Sequence, residues 1–393
     1  MPYRRSTLTA HAGTHSPGPD AGSRPHAPPI YQTTAFEYDS SCGAEAAAAG
    51  TSTPPLGRQY LYARDGSPTE EALAESVAAL EGAEATVVFS SGMGAIAAAL
   101  EAYCGAGGHV VTVDGLYGGS HELISGVLPR FGVTSTFVAA ATPAAIEPAL
   151  KPETRAVYVE SISNPLLRVA DVDGIAAICR SRGIALLVDA TFATPLGQRP
   201  VERGATLAIH SATKYLGGHG DAMCGVVSGV RAELAKVRRL RKFHGANCDP
   251  FGAWLILRGL RTLALRFERQ TATAAKIADG LTALGARVHY PGLASHADHA
   301  LARRMLDGFG AMVAFDVGEL DRARRVYDRL KLIARAASLG DVTSLMTHPA
   351  RFSHLHVDAE TRRRAGITDG LLRLSVGIED ADDLLDDLRQ ALG

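Results

Sequence analysis

Lys214 lies in the segment HSATKYLGGHG, residues 210–220, directly after an apolar run of strand length. Two hydroxyl residues, Ser211 and Thr213, precede it, and a glycine-rich loop follows it. In an α/β sheet, ligands bind beyond the carboxyl ends of the strands. A lysine there can have a lowered pKa and form a Schiff base, while the two hydroxyls could bind a phosphate. On this segment alone, a solvated lysine at a strand end explains the pattern equally well.

Asp189 ends a second apolar run, IALLVD. A buried carboxylate there needs a partner, because an unpaired charge is costly in apolar surroundings. A protonated pyridine nitrogen is such a partner, and this aspartate together with a Schiff-base lysine is the pairing expected of pyridoxal 5′-phosphate (PLP). Ser91, Gly92 and Met93 form a turn between a strand and a helix, which can present backbone N–H groups to an anion. Together the segments predict a PLP site.

Four further side chains could complete such a site. Tyr117 follows the next apolar strand and could stack on the pyridine ring, or it could be a packing residue. Tyr62 and Arg64 pair a hydroxyl with a guanidinium and suit a phosphate, although such an arginine could also be an exposed charge. Arg373 lies inside the apolar run LLRLSV and needs an anion. That anion is either a substrate carboxylate or the partner in a structural salt bridge.

The elements that would position these residues alternate between strands and helices. The runs ATVVF, HVVTVD, TRAVYVE, IALLVD and TLAIHS predict buried strands, and PTEEALAESVAALEG has the start and stop signals of a helix. Such alternation predicts a parallel sheet with helices on both faces. From Phe251 a long helical pattern leads into AMVAFDV and LLRLSVG. We therefore expect an extended arm over residues 1–60, a large domain over 61–250 and a smaller α+β domain over 251–393.

Composition narrows the class of protein. The 393 residues carry 40 Lys and Arg against 41 Asp and Glu, a formal charge of −1 that argues against a strongly basic nucleic-acid binder. No run approaches the ~20 apolar residues of a membrane span, and no secretory signal is recognisable at the N-terminus. The five cysteines are scattered and suit reduced thiols. A cytoplasmic protein is expected.

Other site chemistries find less support. The histidine pairs His296/His299 and His354/His356 have no third ligand at metal-site spacing, so no metal is predicted. A nucleotide-binding dehydrogenase would need its glycine signature after a strand, but the G-A-G-G at residues 105–108 precedes one. A non-catalytic binding protein would not need a lysine, an aspartate and an arginine in these settings.

The chain resembles the Cys/Met-metabolism family of PLP-dependent enzymes, which includes cystathionine γ-synthase, cystathionine γ- and β-lyases and methionine γ-lyase. The similarity runs nearly end to end, through PPIYQTTAF, SSGMGA, ESISNPLLRVAD, DATFATP, HSATKYLGGHGD and GLLRLSVGIED. The resemblance implies the PLP-dependent transferase fold of type I, with a mostly parallel seven-stranded sheet flanked by helices and a smaller C-terminal α+β domain. It also implies a homotetramer built as a dimer of dimers, with active sites shared between subunits.

Residue roles follow from the same resemblance. Lys214 would bind the cofactor and move protons, Asp189 would hold the pyridinium, and Tyr117 would stack and assist proton transfer. Tyr62 and Arg64 would reach the phosphate from a neighbouring subunit. The full cofactor-binding set is Tyr62, Arg64, Ser91, Gly92, Met93, Tyr117, Asn164, Asp189, Ser211, Thr213 and Lys214, and the substrate-binding set is Ser338, Arg373 and Tyr62.

The activity implied is γ-replacement or γ-elimination on a sulfur-containing or O-acylated homoserine-type amino acid. The alternatives are a β-eliminating C–S lyase, a methionine γ-lyase and a specialised γ-replacement enzyme of secondary metabolism. Four positions depart from the family pattern. Gly119 stands where methionine γ-lyases have cysteine, Ser67 and Ala190 stand where asparagine is usual, and Thr343 stands where glutamate is frequent.

Overall fold

The computed structural model describes residues 3–14, 25–49, 60–355 and 359–393. Its helices are α1 Arg5–Ala10, α2 Ser41–Ala49, α3 Pro68–Glu81, α4 Gly92–Glu101, α5 Gly118–Glu122, α6 Pro143–Ile146, α7 Val172–Ser181, α8 Thr194–Gly197, α9 Arg231–His244, α10 Pro250–Leu260, α11 Leu263–Ala283, α12 His299–Met305, α13 Leu320–Arg329, α14 Ala359–Arg364 and α15 Ala381–Leu392. Its strands are β1 Ala85–Phe89, β2 His109–Val113, β3 Thr134–Val138, β4 Thr154–Glu160, β5 Ala185–Asp189, β6 Leu207–Ser211, β7 Gly225–Gly229, β8 Arg287–His289, β9 Met312–Asp316, β10 Ala334–Arg335, β11 Leu345–Thr347 and β12 Leu371–Ser375.

The larger sheet has seven strands in the order β1-β7-β6-β5-β4-β2-β3. Neighbours from β6 to β3 run parallel, while β7 is antiparallel to both β6 and β1. The predicted mostly parallel seven-stranded sheet is confirmed. The residue pattern had not located β3 and β7, because β3 is rich in threonine and only half-buried, and β7 contains two glycines. Both features weaken the apolar signal of a strand.

Helix α3 begins and ends where the sequence predicts. Ser67 caps its first turn by accepting a hydrogen bond from the Glu70 N–H, and Pro68 occupies the first helical position. Gly82 ends the helix in the left-handed conformation, with φ of 67°. The serine that departs from the family pattern at position 67 is therefore a helix cap in this chain.

A smaller sheet follows in the C-terminal part, with strand order β10-β11-β12-β9-β8. Its apolar face packs against α11, α13 and α15. The long helical pattern after Phe251 is two helices, because the chain turns at Arg261 and Thr262. There the N–H groups bond three residues back, to Arg258 and Gly259, and close the last turn of α10 tightly.

Two segments of the expected N-terminal arm are helical. Helix α1 packs against α3, and Arg5 anchors it by an ion pair with Asp307 at 2.8 Å. Helix α2 contains the run AEAAAA, whose alanines have the highest helix propensity. Residues 15–24 and 50–59 of the expected arm lie outside the described residues. Within the described ranges, no helix is both long and apolar enough to cross a membrane.

Candidate active site

A cavity of about 530 Å³ opens at the carboxyl ends of the central parallel strands. Strands β4, β5 and β6 end there at Glu160, Asp189 and Ser211, and α4 begins there at Gly92. The predicted site residues that line it are Ser91, Gly92, Met93, Tyr117, Asn164, Asp189, Ser211, Thr213, Lys214, Ser338 and Arg373. The structure thus brings together all the predicted site residues except Tyr62 and Arg64.

Lys214 follows β6 and extends its amine into this cavity. Its Nζ donates a hydrogen bond to Ser338 Oγ at 2.8 Å. Burial, with a smaller contribution from the nearby Arg373 guanidinium, lowers the pKa of Lys214 to about 8. The amine is therefore available as a base or nucleophile close to neutral pH.

Asp189, the last residue of β5, is fully enclosed. Its Oδ1 accepts a hydrogen bond from the Thr191 N–H at 2.9 Å, and its Oδ2 lies 3.4 Å from the Tyr158 hydroxyl. Burial raises the pKa of Asp189 above its ordinary value. A cation placed at this carboxylate would relieve that penalty.

The start of α4 and the end of β6 approach each other closely. Ser91 caps α4 through the Gly94 N–H at 3.1 Å, and the first N–H groups of a helix have no acceptors within it. A Cβ at Gly92 would lie 2.7 Å from the Ser211 Cβ, so only glycine fits this approach. Thr213 Oγ1 is held beside it by the Cys224 N–H at 2.9 Å. Backbone and hydroxyl donors therefore converge on one small region, as an anion site requires.

Arg373 enters the cavity from β12 of the smaller sheet and is almost completely buried. Its Nη1 donates to Asn164 Oδ1 at 2.7 Å and its Nη2 donates to the Ser338 carbonyl at 3.1 Å, whereas its Nε has no partner among the described residues. No ion pair to Arg373 is found in the described ranges. Burial lowers the pKa of Arg373 to about 10. The structure offers no salt-bridge partner here, and a free donor remains for a carboxylate.

Glu160 lines the cavity and was missed by the sequence analysis. Its carboxylate accepts hydrogen bonds from the N–H groups of Tyr117 at 2.7 Å and Asn164 at 2.9 Å. Burial, together with the charge of Asp189 on the adjacent strand, raises the pKa of Glu160 to about 8. An acid at the end of an apolar strand was the signal that identified Asp189, and it applies equally to Glu160.

The structure locates three of the residues that depart from the family pattern. A Cβ at Gly119 would lie 2.6 Å from the Tyr117 ring and 3.0 Å from Met93 Sδ, so a side chain there would displace the tyrosine. Ala190 is buried behind the cavity and Thr343 is exposed outside it; neither lines it. At Gly119 an added side chain would meet two residues of the cavity, Tyr117 and Met93.

Tyr62 and Arg64 lie on an exposed turn before α3, away from the cavity of the same chain. Tyr62 is 43% exposed, and the Arg64 guanidinium sits over its ring at 5.4 Å from the centroid. One chain alone therefore leaves both side chains without the contact to the cavity that was predicted for them.

A sequence model described as "Cys/Met metabolism PLP-dependent enzyme" matches residues 6–393 of the chain. The chain belongs to this family. Cystathionine gamma-lyase of Bacillus subtilis is 40% identical over 99% of both chains, and cystathionine beta-lyase of Lactococcus lactis subsp. cremoris is 40% identical over 93% of both chains. The crystal structure of cystathionine gamma synthase from Xanthomonas oryzae pv. oryzae superposes with a TM-score of 0.91 and 37% identity, covering 100% of this chain and 98% of that one.

Membership of the Cys/Met-metabolism family confirms the predicted enzyme class, its PLP cofactor and its fold type. The residues present fit PLP on structural grounds as well. Asp189 is buried and forms no ion pair within the described residues, the start of α4 lies beside the hydroxyls of Ser211 and Thr213 in the cavity lining, and Lys214 offers an amine of lowered pKa.

The described residues contain no cluster of three His, Cys, Asp or Glu side chains that could hold a metal ion. His299 Nδ1 donates to the Pro291 carbonyl at 2.9 Å, and His296 accepts from the Asp298 N–H. His354 donates to the Leu116 carbonyl at 2.9 Å, whereas its predicted companion His356 lies outside the described residues.

Proposed function

We propose that this enzyme catalyses PLP-dependent γ-elimination or γ-replacement on a homoserine-type amino acid that carries a sulfur or O-acyl substituent at Cγ. The observation that carries the proposal is the amine of Lys214, which has a lowered pKa and lies within one cavity with the buried guanidinium of Arg373 and the carboxylate of Asp189. The names of the relatives, which cover γ-lyase, β-lyase and γ-synthase activities, support this range of chemistry.

Each side chain of the cavity would have a separate role in the reaction. Arg373 would hold the α-carboxylate of the substrate bidentately, oriented by Asn164. Lys214 would accept the proton from Cα and then exchange protons at Cβ and with the leaving group, as one positioned acid–base group. Tyr117 would stack on the cofactor and assist. PLP, when bound, supplies the electron sink for charge that develops at Cα.

The phosphate of the cofactor would lie against Gly92, Met93, Ser211 and Thr213. We propose that Tyr62 and Arg64 complete this phosphate site from a neighbouring subunit, since their own chain keeps both of them on an exposed turn. The assembly would be a homotetramer made of two such dimers. The free thiols of all five cysteines support a cytoplasmic location.

The outer wall of the cavity favours a substrate whose substituent at Cγ is uncharged. Met223 is 71% exposed and Phe352 is 48% exposed, and both line the cavity together with Leu339. Charged side chains in the described lining are confined to the inner group of Glu160, Asp189, Lys214 and Arg373. Because the described part of this wall carries no cation that could pair with a carboxylate, an acetyl or methylthio group suits this entrance better than a succinyl group.

The test has two parts. Purified protein should be yellow, and borohydride should attach the cofactor irreversibly to the Lys214 peptide. Product assays with O-acetylhomoserine, O-succinylhomoserine, cystathionine and methionine, with and without cysteine, would then identify the reaction. Keto acid from O-acetylhomoserine or methionine indicates γ-elimination, and cystathionine formed with added cysteine indicates γ-replacement. Pyruvate and homocysteine from cystathionine would instead favour the β-lyase alternative. A colourless protein with unmodified Lys214 would refute the proposal.

A further inference from the structure

A buried arginine of α9 holds the turn that carries Tyr62 and Arg64. Arg241 is 2% exposed. Its Nη2 donates hydrogen bonds to the main-chain carbonyls of Arg64 at 3.1 Å and Asp65 at 3.0 Å. The guanidinium therefore holds the backbone of the turn by hydrogen bonds. The Arg64 side chain takes no part in these contacts and can extend outward.

The other side of the same guanidinium is fixed to the body of the larger sheet. Arg241 Nη1 donates to the carboxylate of Glu70, in the first turn of α3, and to the Val88 carbonyl of β1 at 3.2 Å. One planar group thus ties the turn to a helix, a strand and a second helix. Since the five donors of a guanidinium have a fixed geometry, these contacts define the position of the turn rather than merely attach it.

Neighbouring residues of α9 and the loop after it strengthen this attachment. Lys242 pairs with the Asp65 carboxylate at 2.5 Å, and the Asn247 amide donates to the Arg64 carbonyl. Arg241 also neutralises the buried Glu70 carboxylate, so part of its role is to stabilise its own chain. Rigid support of this kind is what a binding group requires if it must meet a ligand with small positional error.

We propose that Arg241 is a positioning residue for the active site of the adjoining subunit. It fixes the backbone at residues 64–65, so that the Tyr62 hydroxyl and the Arg64 guanidinium meet the cofactor phosphate across the subunit interface. The inference rests on the proposed function, in which Tyr62 and Arg64 act on a neighbouring subunit's site.

The variant R241K separates positioning from folding. Lysine keeps a cation beside the buried Glu70 carboxylate, but its ammonium cannot reproduce the planar fork that spans both carbonyls. We expect the affinity of the R241K protein for PLP to fall about tenfold or more, by analogy with the loss seen when groups that orient metal ligands are removed. The matched control is R239K on the same helix, because Arg239 is exposed and contacts Phe243 rather than the turn. Its affinity should not change.

Mixed dimers test whether R241K weakens PLP binding at the site of its own chain or at the site of the partner chain. Two differently tagged chains are co-expressed and purified together, and PLP is titrated with borohydride trapping on the Lys214 peptide as the readout. In the first mixed dimer, one chain carries K214A and the other carries R241K. Its single trapping site then borrows Tyr62 and Arg64 from the chain with Arg241 intact, so trapping should need the same PLP concentration as in the wild type. In the second, K214A and R241K are on the same chain, and trapping should need about ten times more.

Two outcomes would overturn the proposal. Equal weakening in both mixed dimers would mean that Arg241 only stabilises its own chain, and weakening in the first dimer alone would mean that it supports the cavity of its own chain. A parallel pair of mixed dimers with R64A in place of R241K tests the shared site itself. If R64A weakens trapping only from the K214A chain but R241K does not, the proposed function stands and the role of Arg241 is refuted. If R64A shows no such pattern, both fail.

Discussion

The inner cluster around Lys214 and the exposed turn of Tyr62 and Arg64 are built in different ways. The inner cluster is assembled within one chain, since β4, β5 and β6 end at one place, Lys214 bonds to Ser338, and Arg373 bonds to Asn164. The turn is equally well anchored, through Arg241, but its functional side chains face outward. This difference supports our proposal that the turn is ordered for contact with a partner chain, because it is firmly anchored although its side chains do not line the cavity of their own chain.

The largest effect should come from the inner cluster. K214A removes the only amine in the described lining of the cavity, so turnover should fall about 1,000-fold or more, within the range that a positioned acid–base group contributes. Keto-acid release measures this. The exposed Lys151 provides the control, and K151A should retain full turnover. Residual turnover close to the wild type would mean that the inner cluster is not the reaction site.

The second prediction uses pH to probe the same cluster. The pKa of Lys214 is about 8 in the folded chain, lowered mainly by burial from an ordinary value of 10.5. Below pH 8 both folded and unfolded chains hold the proton, so the folded chain bears the full cost of the buried cation. That cost fades as the pH rises from 8 to 10.5, because the folded amine releases its proton first.

K214M should therefore stabilise the PLP-free protein below pH 8 by up to about 3 kcal/mol. The gain should disappear by about pH 10.5. Urea unfolding at pH 7 and pH 10 measures it, with K236M as an exposed control on α9. A stability difference that does not change with pH would contradict the burial of a lowered-pKa amine.

The third prediction concerns the turn. R64A should weaken PLP binding about tenfold or more, since a charge-assisted hydrogen bond contributes about 1.5–3 kcal/mol. It should leave the pH dependence described for Lys214 unchanged, because Arg64 does not line the cavity of its own chain. Fluorescence titration of the PLP-free protein gives the affinity. If R64A shifts the Lys214 titration as well, the two regions are not separable in the way proposed.

The smallest effect is expected at Gly119. G119C places a Cβ against the Tyr117 ring, which is half-exposed and can move aside. Overpacking that can relax in this way should cost about 1 kcal/mol of stability and lower turnover a few-fold. Thermal unfolding and keto-acid release check both values, and G119A separates the Cβ effect from that of the thiol. Faster turnover in G119C would show that Tyr117 is not held in its working position here.

The sequence located the inner cluster well and the turn poorly, for physical reasons. Lys214 and Asp189 could be placed because each follows an apolar run whose carboxyl end must lie at one edge of a parallel sheet. Glu160 has the same setting and was overlooked within a motif that drew attention to Asn164. The main features of the fold followed from the same runs, while β3 and β7 lacked the apolar pattern that would have predicted them.

Arg241 could not be predicted from its surroundings in the sequence. Helix α9 has the sequence RAELAKVRRLRKFH, in which Arg241 is one of several Lys and Arg residues. Which of them is buried depends on how α9 packs on β1 and on where the turn passes, and both are long-range features. Tyr62 and Arg64 were identified from their residue types as a possible phosphate-binding pair, but only the family resemblance suggested that they act on a neighbouring subunit.

Arg373 has a consequence for how activity arises during folding. It belongs to the smaller sheet, yet it bonds to Asn164 of the larger half, and Lys214 of the larger half bonds to Ser338 beside the smaller sheet. The cavity that we propose as the substrate site thus lies where the larger and the smaller sheet, with their helices, meet. During refolding, turnover should therefore recover at the rate at which the slower of the two sheets folds with its helices. A chain in which only one of the two sheets has folded should have no turnover.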